Sequence, residues 1–211
     1  MILHEFPASS NAQKVRFLLD ELGLTYERNA VPPARPRPAS HLTLNPLGLV
    51  PVLQDGDLTL SESNAILRYL AAKAGRADLY PTDPVERAKV DMLLDAISTT
   101  FRPACMPLEI AGLGFKPGLG LFPQTAEPER LPGLYDEQRP LLVAFSGLLG
   151  PEPWAVHGRF TIADCAGAPV LYRLLHLNGF ADTFPRLAAW GRAATGRPGF
   201  ARVAAEAGLP D

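Results

Sequence analysis

The chain has 211 residues, 47% hydrophobic and 20% charged, which is apolar material for one large core or two small ones. Its formal charge of −2 is spread evenly, with 8 acidic and 8 basic side chains in residues 1–80, so no segment has the basic excess that nucleic acid or an anionic membrane requires. The opening MILHEF has no basic stretch ahead of an apolar run, and no window approaches about 18 uninterrupted apolar residues, so a soluble, unexported, cytoplasmic protein without membrane contact is expected.

MILHEF can form a short strand. After the polar triplet Ser9, Ser10, Asn11, the apolar residues Val15, Leu18, Leu19 and Leu22 recur with helical spacing up to Gly23. LTYERNAV then alternates as a second strand, giving a β-α-β unit whose default is a right-handed parallel crossover. PPARPRPAS reads as a loop and HLTL as a short helical turn. VPVLQDGDLTL carries Asp55-Gly56 between two apolar alternations, a hairpin signal. SESNAILRYLAAKAG follows as a helix closed by Gly75.

Residues 78–88, DLYPTDPVERA, break this pattern and mark a boundary between an α/β domain over 1–77 and an all-helical domain over 84–211. There a helix is expected from Val85, interrupted by Pro103 and Pro107, then a Gly/Pro-rich loop over 112–124. Further helices are expected over 127–148, 161–178, 183–195 and 198–207. Thr161 and Asp164 are spaced as a capping box with Phe160 as its staple, a folding device. Cys105 and Cys165 are isolated, so neither a disulfide framework nor a metal site is expected, and Cys165 reads as a small core residue.

Three places can carry chemistry. Glu62 and Ser63 stand at a helix start directly after a strand: Ser61 and Ser63 can simply cap, or the helix N-terminus can hold a carboxylate while Glu62 holds an ammonium group, as an α-amino acid would present. Pro51 after Val50 opens a strand. Ser9, Ser10 and Asn11 can cap the first helix, or a hydroxyl among them can donate to a ligand thiolate. His4, His41, His157 and His176 are scattered and make no hydrolytic triad credible.

Together SSNAQKVRFLLDELGLTYE, NPLGLVPVLQDGDLTLSESNAILRYLA, DLYPTDPVERA and GRFTIADCAGAPVLYRL resemble the cytosolic glutathione transferase family, in order and over nearly the whole chain. The resemblance implies a thioredoxin-like N-terminal domain, an all-helical C-terminal domain, a homodimer, and glutathione as co-substrate with no metal. It implies a cis Val50–Pro51 bond, a Val50 backbone that pairs with the cysteinyl part of glutathione, and Glu62 and Ser63 as the γ-glutamyl site. It gives the thiol-activating role to Ser9, first residue of an S-x-N-x-x-[KR]-V pattern, with Ser10 and Asn11 as alternatives. Where the family has lysine or glutamine before Val-Pro, this chain has Leu49, which leaves the glycyl carboxylate to His41, Arg35 or Arg37 or to weaker binding. Phe101, Met106, Leu113 and Phe115 can wall a hydrophobic electrophile or pack in the core. Three functions follow from the likeness: conjugation to an electrophile, a glutathione-dependent isomerisation of the maleylacetoacetate isomerase kind, or noncatalytic binding.

Overall fold

In the computed structural model, which describes residues 1–114 and 126–206, the alternating Ile2–Glu5 segment forms β1 and pairs in parallel with β2 (Glu27–Ala30). Between them α1 (Ser10–Glu21) crosses over. After α2 (Ala39–Leu44), β3 (Val52–Asp55) and β4 (Leu58–Leu60) complete a sheet of order β2-β1-β3-β4. The β3–β4 turn has Gly56 at φ +59° in the first central position, where a type II′ turn takes glycine. Then α3 (Ser63–Lys73) packs beside α1. The β-α-β and β-β-α readings both hold.

The remainder is helical. One long helix is built of α4 (Pro84–Ala96), a π-helical stretch Ile97–Phe101 and α5 (Arg102–Leu113). The expected interruption at Pro103 and Pro107 does not occur. Arg102 N–H bonds five residues back to the Ile97 carbonyl, and this wide turn comes directly before Pro103, which has no N–H to give. Pro107 lies inside α5. There follow α6 (Leu131–Ser146), α7 (Ile162–Leu174), α8 (Phe180–Thr183), α9 (Pro185–Thr195) and α10 (Ala201–Ala205). The expected 112–124 loop, and with it Phe115, lies from residue 115 onward outside the described residues.

α7 is the centre of the molecule. It is buried along almost its whole length and packs on α1, α5 and α9. Its start carries the expected capping box: the Asp164 carboxylate takes the Thr161 N–H at 2.7 Å. The other oxygen of Asp164 takes the Ala155 N–H and the Trp190 ring N–H, each at 2.8 Å, so one buried carboxylate ties three segments together. Burial pushes its pKa up to about 6, against these hydrogen bonds. Cys105 and Cys165 are both buried, and burial raises both thiols well above their usual value.

Candidate active site

The loop between β1 and α1 ends on Ser9, the N-cap of α1. The carbonyl of Ser9 takes the N–H groups of Ala12 and Gln13, and its side-chain oxygen takes Ala12 N–H at 3.4 Å. Its own O–H remains able to donate. The N–H groups of Ser10 and Asn11 bond to nothing among the described residues, so the positive end of a 12-residue helix faces outward here. Ser10 is buried, whereas Ser9 and Asn11 are half-buried.

β3 brings Val50 and Pro51 to the same end of the sheet. Its register sets Val52 opposite His4, so Val50 stands across from Phe6, three residues before Ser9. The Val50–Pro51 bond is cis, as expected, and no described residue takes the N–H or carbonyl of Val50.

Glu62 and Ser63 start α3. Glu62 has φ +65°, a left-handed backbone that a side-chain-bearing residue keeps only where the surroundings impose it. Its carboxylate is exposed and has no hydrogen bond or ion pair among the described residues, and Ser63 is buried at the first helical position. A cavity of about 350 Å³ is lined by Asn11, Glu62, Ser63, Asn64, Arg68, Asp95, Ser98 and Arg102 among others. It therefore joins the start of α1 to the start of α3, and of the three adjacent candidates on α1 it is Asn11 that lines it.

Position 49 is different. Leu49 is exposed, and its carbonyl is held by His41 Nε2 and Asn45 Nδ2, both at 3.0 Å. Arg37 is buried against the Phe6 ring, and donates to the carbonyls of Gly48, at 3.1 Å, and of Pro32. His41 and Arg37 thus brace the loop, and Arg35 is exposed. Of the residues considered for an electrophile wall, Phe101 is core, stacked on Phe145, Leu113 is buried, and Met106 is half-buried.

Sequence reasoning missed a layer of charge beneath the site. Lys14 is buried and gives a 2.7 Å hydrogen bond to Asn64 Oδ1; burial and the nearby Arg102 charge bring its pKa down to about 7, against the pull of Glu62. Asn64 in turn donates to the Leu94 carbonyl at 2.9 Å and to Ser98 at 3.1 Å, tying α3 to the long helix. Arg173 of α7 donates to the Ala8 carbonyl at 2.6 Å, to Gln13 Oε1 at 3.2 Å and to Glu109 at 3.1 Å, so the loop before Ser9 is held from the helical part. A lysine one position before the apolar stripe of α1 was the available signal for Lys14. Arg102 has none, because only folding brings it beside residues some ninety positions earlier.

The family model for the N-terminal domain of glutathione S-transferases matches residues 3–78. Glutathione S-transferase GstB of Escherichia coli K12 is 32% identical over 201 residues, covering 92% of this chain and 93% of that protein. Glutathione S-transferase 3 of Zea mays is also 32% identical and covers 99% of this chain and 95% of that protein. Among solved structures, a theta class glutathione S-transferase from the citrus canker pathogen Xanthomonas axonopodis pv. citri with glutathione bound superimposes with a TM-score of 0.78 at 29% identity, over 96% of each chain.

Proposed function

Because the chain belongs to the glutathione S-transferase family, we propose that it binds glutathione in the cavity between α1 and α3 and activates the thiol for attack on a hydrophobic electrophile. The single observation that carries this is the cavity itself: one space of about 350 Å³ has Glu62, a carboxylate unpaired among the described residues, at a helix start and Asn11 of a second helix start along the same wall. Its volume is that of a small-molecule pocket.

In this reading Glu62 takes the γ-glutamyl ammonium, while Ser63 and the N–H groups of α3 take its carboxylate. The open backbone of Val50, next to cis Pro51, pairs with the cysteinyl part. Leu49, His41 and Arg37 shape the loop, and the exposed Arg35 stands in for the family's usual side chain toward the glycyl carboxylate. The thiol then lies at the start of α1. A free thiol titrates near 8.5, and lowering this by about two units takes roughly 2.7 kcal/mol of preference for the anion. The Ser9 hydroxyl together with the free N–H groups of Ser10 and Asn11 is of that size. The proton goes to solvent, and the sulfur electron pair forms the bond to the electrophile as its leaving group departs. The protein works in the cytoplasm as a homodimer.

A second reading, with the Asn11 amide as the donor to sulfur, is favoured because Asn11 is the residue of the three that lines the cavity. Calorimetric titration with glutathione is expected to show binding at or below millimolar concentration; its absence would remove the proposal. With a model chloroarene, Ser9→Ala is expected to lose about a hundredfold in kcat/KM. If Ser9→Ala keeps full activity and Asn11→Ala loses it, the second reading replaces the first.

A further inference from the structure

Arg102, the first residue of α5, donates from Nε to the hydroxyl oxygen of Ser10 at 3.2 Å and lines the same cavity as Asn11 and Glu62. Ser10 is the first residue of α1 and is buried. An accepting bond from a guanidinium polarises its hydroxyl and leaves the O–H free to donate toward the helix start.

The charge around this contact becomes unbalanced once an ammonium group occupies Glu62. Facing Arg102 are Lys14 from α1, Arg173 from α7 and Glu109 from its own helix, while Glu62 of α3 reaches the group through Lys14. Glu109 is already bonded to Arg173 at 3.1 Å. Arg68 is compensated separately, by Asp91 at 2.6 Å. Lys14, with its pKa brought down to about 7, is about half neutral at pH 7, so two full cations, Arg102 and Arg173, meet two carboxylates, Glu62 and Glu109. One of the two, Glu62, is the carboxylate that the ligand ammonium takes up in the reading above. With the two unsatisfied N–H groups of Ser10 and Asn11, the place left over suits an anion at the start of α1.

We propose that Arg102 sets the acidity of the bound thiol: acting through Ser10, it is a positioning residue that stabilises the glutathione thiolate from the helical side of the site. This rests on the glutathione reading above. The thiol gives its proton to solvent and keeps the electron pair on sulfur, and Arg102 stays protonated throughout.

The test is a pH titration of the thiolate ultraviolet absorbance in the glutathione complex, for the wild type, Arg102→Met and Arg102→Lys, with S-methylglutathione binding followed calorimetrically. Arg102→Met is expected to raise the thiol pKa by about one unit or more, while S-methylglutathione, which has no thiol to ionise, weakens by less than the matching tenfold. The acid limb of the variant's kcat/KM profile moves with that pKa, and Arg102→Lys recovers at least part of the shift. If Arg102→Met does not fold, Arg102→Gln, which keeps a donor for Ser10 without the charge, is expected to show the same shift. An unchanged thiol pKa in the neutral variant, or Arg102→Lys shifted as far as that variant, overturns the inference. A wild type that binds no glutathione instead overturns the function on which it rests.

Discussion

The residue that ties burial most directly to charge is Lys14. Its ammonium is almost fully buried, and the neutral form is favoured there because burial outweighs the attraction of Glu62. Its folded pKa of about 7 lies below the 10.5 of an ordinary lysine. Between those values the unfolded chain binds a proton that the folded chain does not, so the Lys14 contribution to stability rises with pH across this window and is least favourable below pH 7. Lys14→Met is therefore expected to be most stabilising, relative to wild type, below pH 7, with the advantage shrinking by up to about 1.4 kcal/mol per unit above it. Urea unfolding at three pH values measures this; a difference independent of pH would mean that Lys14 is charged throughout. At this scale the sequence was legible where a residue's own neighbours explain it. Glu62 and Ser63 start α3, where local signals put a helix, and share one cavity with Asn11, whereas Ser9, the first choice of the three, does not line it. Arg102 and Arg173 were not legible, because their partners are distant in the chain and an arginine in a helix reads as solvated until the fold shows what it touches.

Among elements, the sheet and its hairpin followed from alternation and from Asp55-Gly56, whereas the helices departed from expectation in two ways. The spacing of α1 predicts one apolar stripe, yet Gln13, Lys14 and Arg16 are buried too, since α3, α7 and the segment that carries Glu206, 2.9 Å from Arg16, all pack against it. Pro103 and Pro107 predict an interruption, yet they lie inside helices, as do Pro140 and Pro169. The contact of α7 with α9 depends on Gly167. A Cβ there would come within 2.4 Å of the Trp190 ring. That ring is fixed by its bond to Asp164 and by stacking on Phe145, so it cannot give way. Alanine gains about 1 kcal/mol in helix propensity, but overpacking costs about 1–3 kcal/mol or more, and the clash wins. Gly167→Ala is expected to lower the urea midpoint, and a raised midpoint would show that α9 can move aside.

Across the whole molecule, the sheet-bearing part and the helical part meet in the Arg173 cluster, which joins α7 to the Ala8 carbonyl, Gln13 and Glu109. Arg173→Met is expected to cost about 3–5 kcal/mol, because Glu109 is then left in the interior without its bonded partner; adding Glu109→Leu should recover much of the loss. A single substitution costing less than about 1 kcal/mol, read from the unfolding midpoint, would show that the cluster does not hold the two parts together. The wide turn at Ile97–Phe101 carries a different kind of consequence. It holds one residue more than a regular helical turn, so its phase rests on a surplus of one. Deleting a single residue there would let the long helix close into an ordinary one with α5 in nearly its present phase, whereas the same deletion within α4 would swing α5 by about 100° about its axis. After a deletion within α4, Arg102 and Glu109 would turn away from the loop before α1, though the composition would hardly change. Among relatives of this chain, a one-residue gap at this turn would therefore mark proteins whose long helix is regular and still sets the same position beside Ser10.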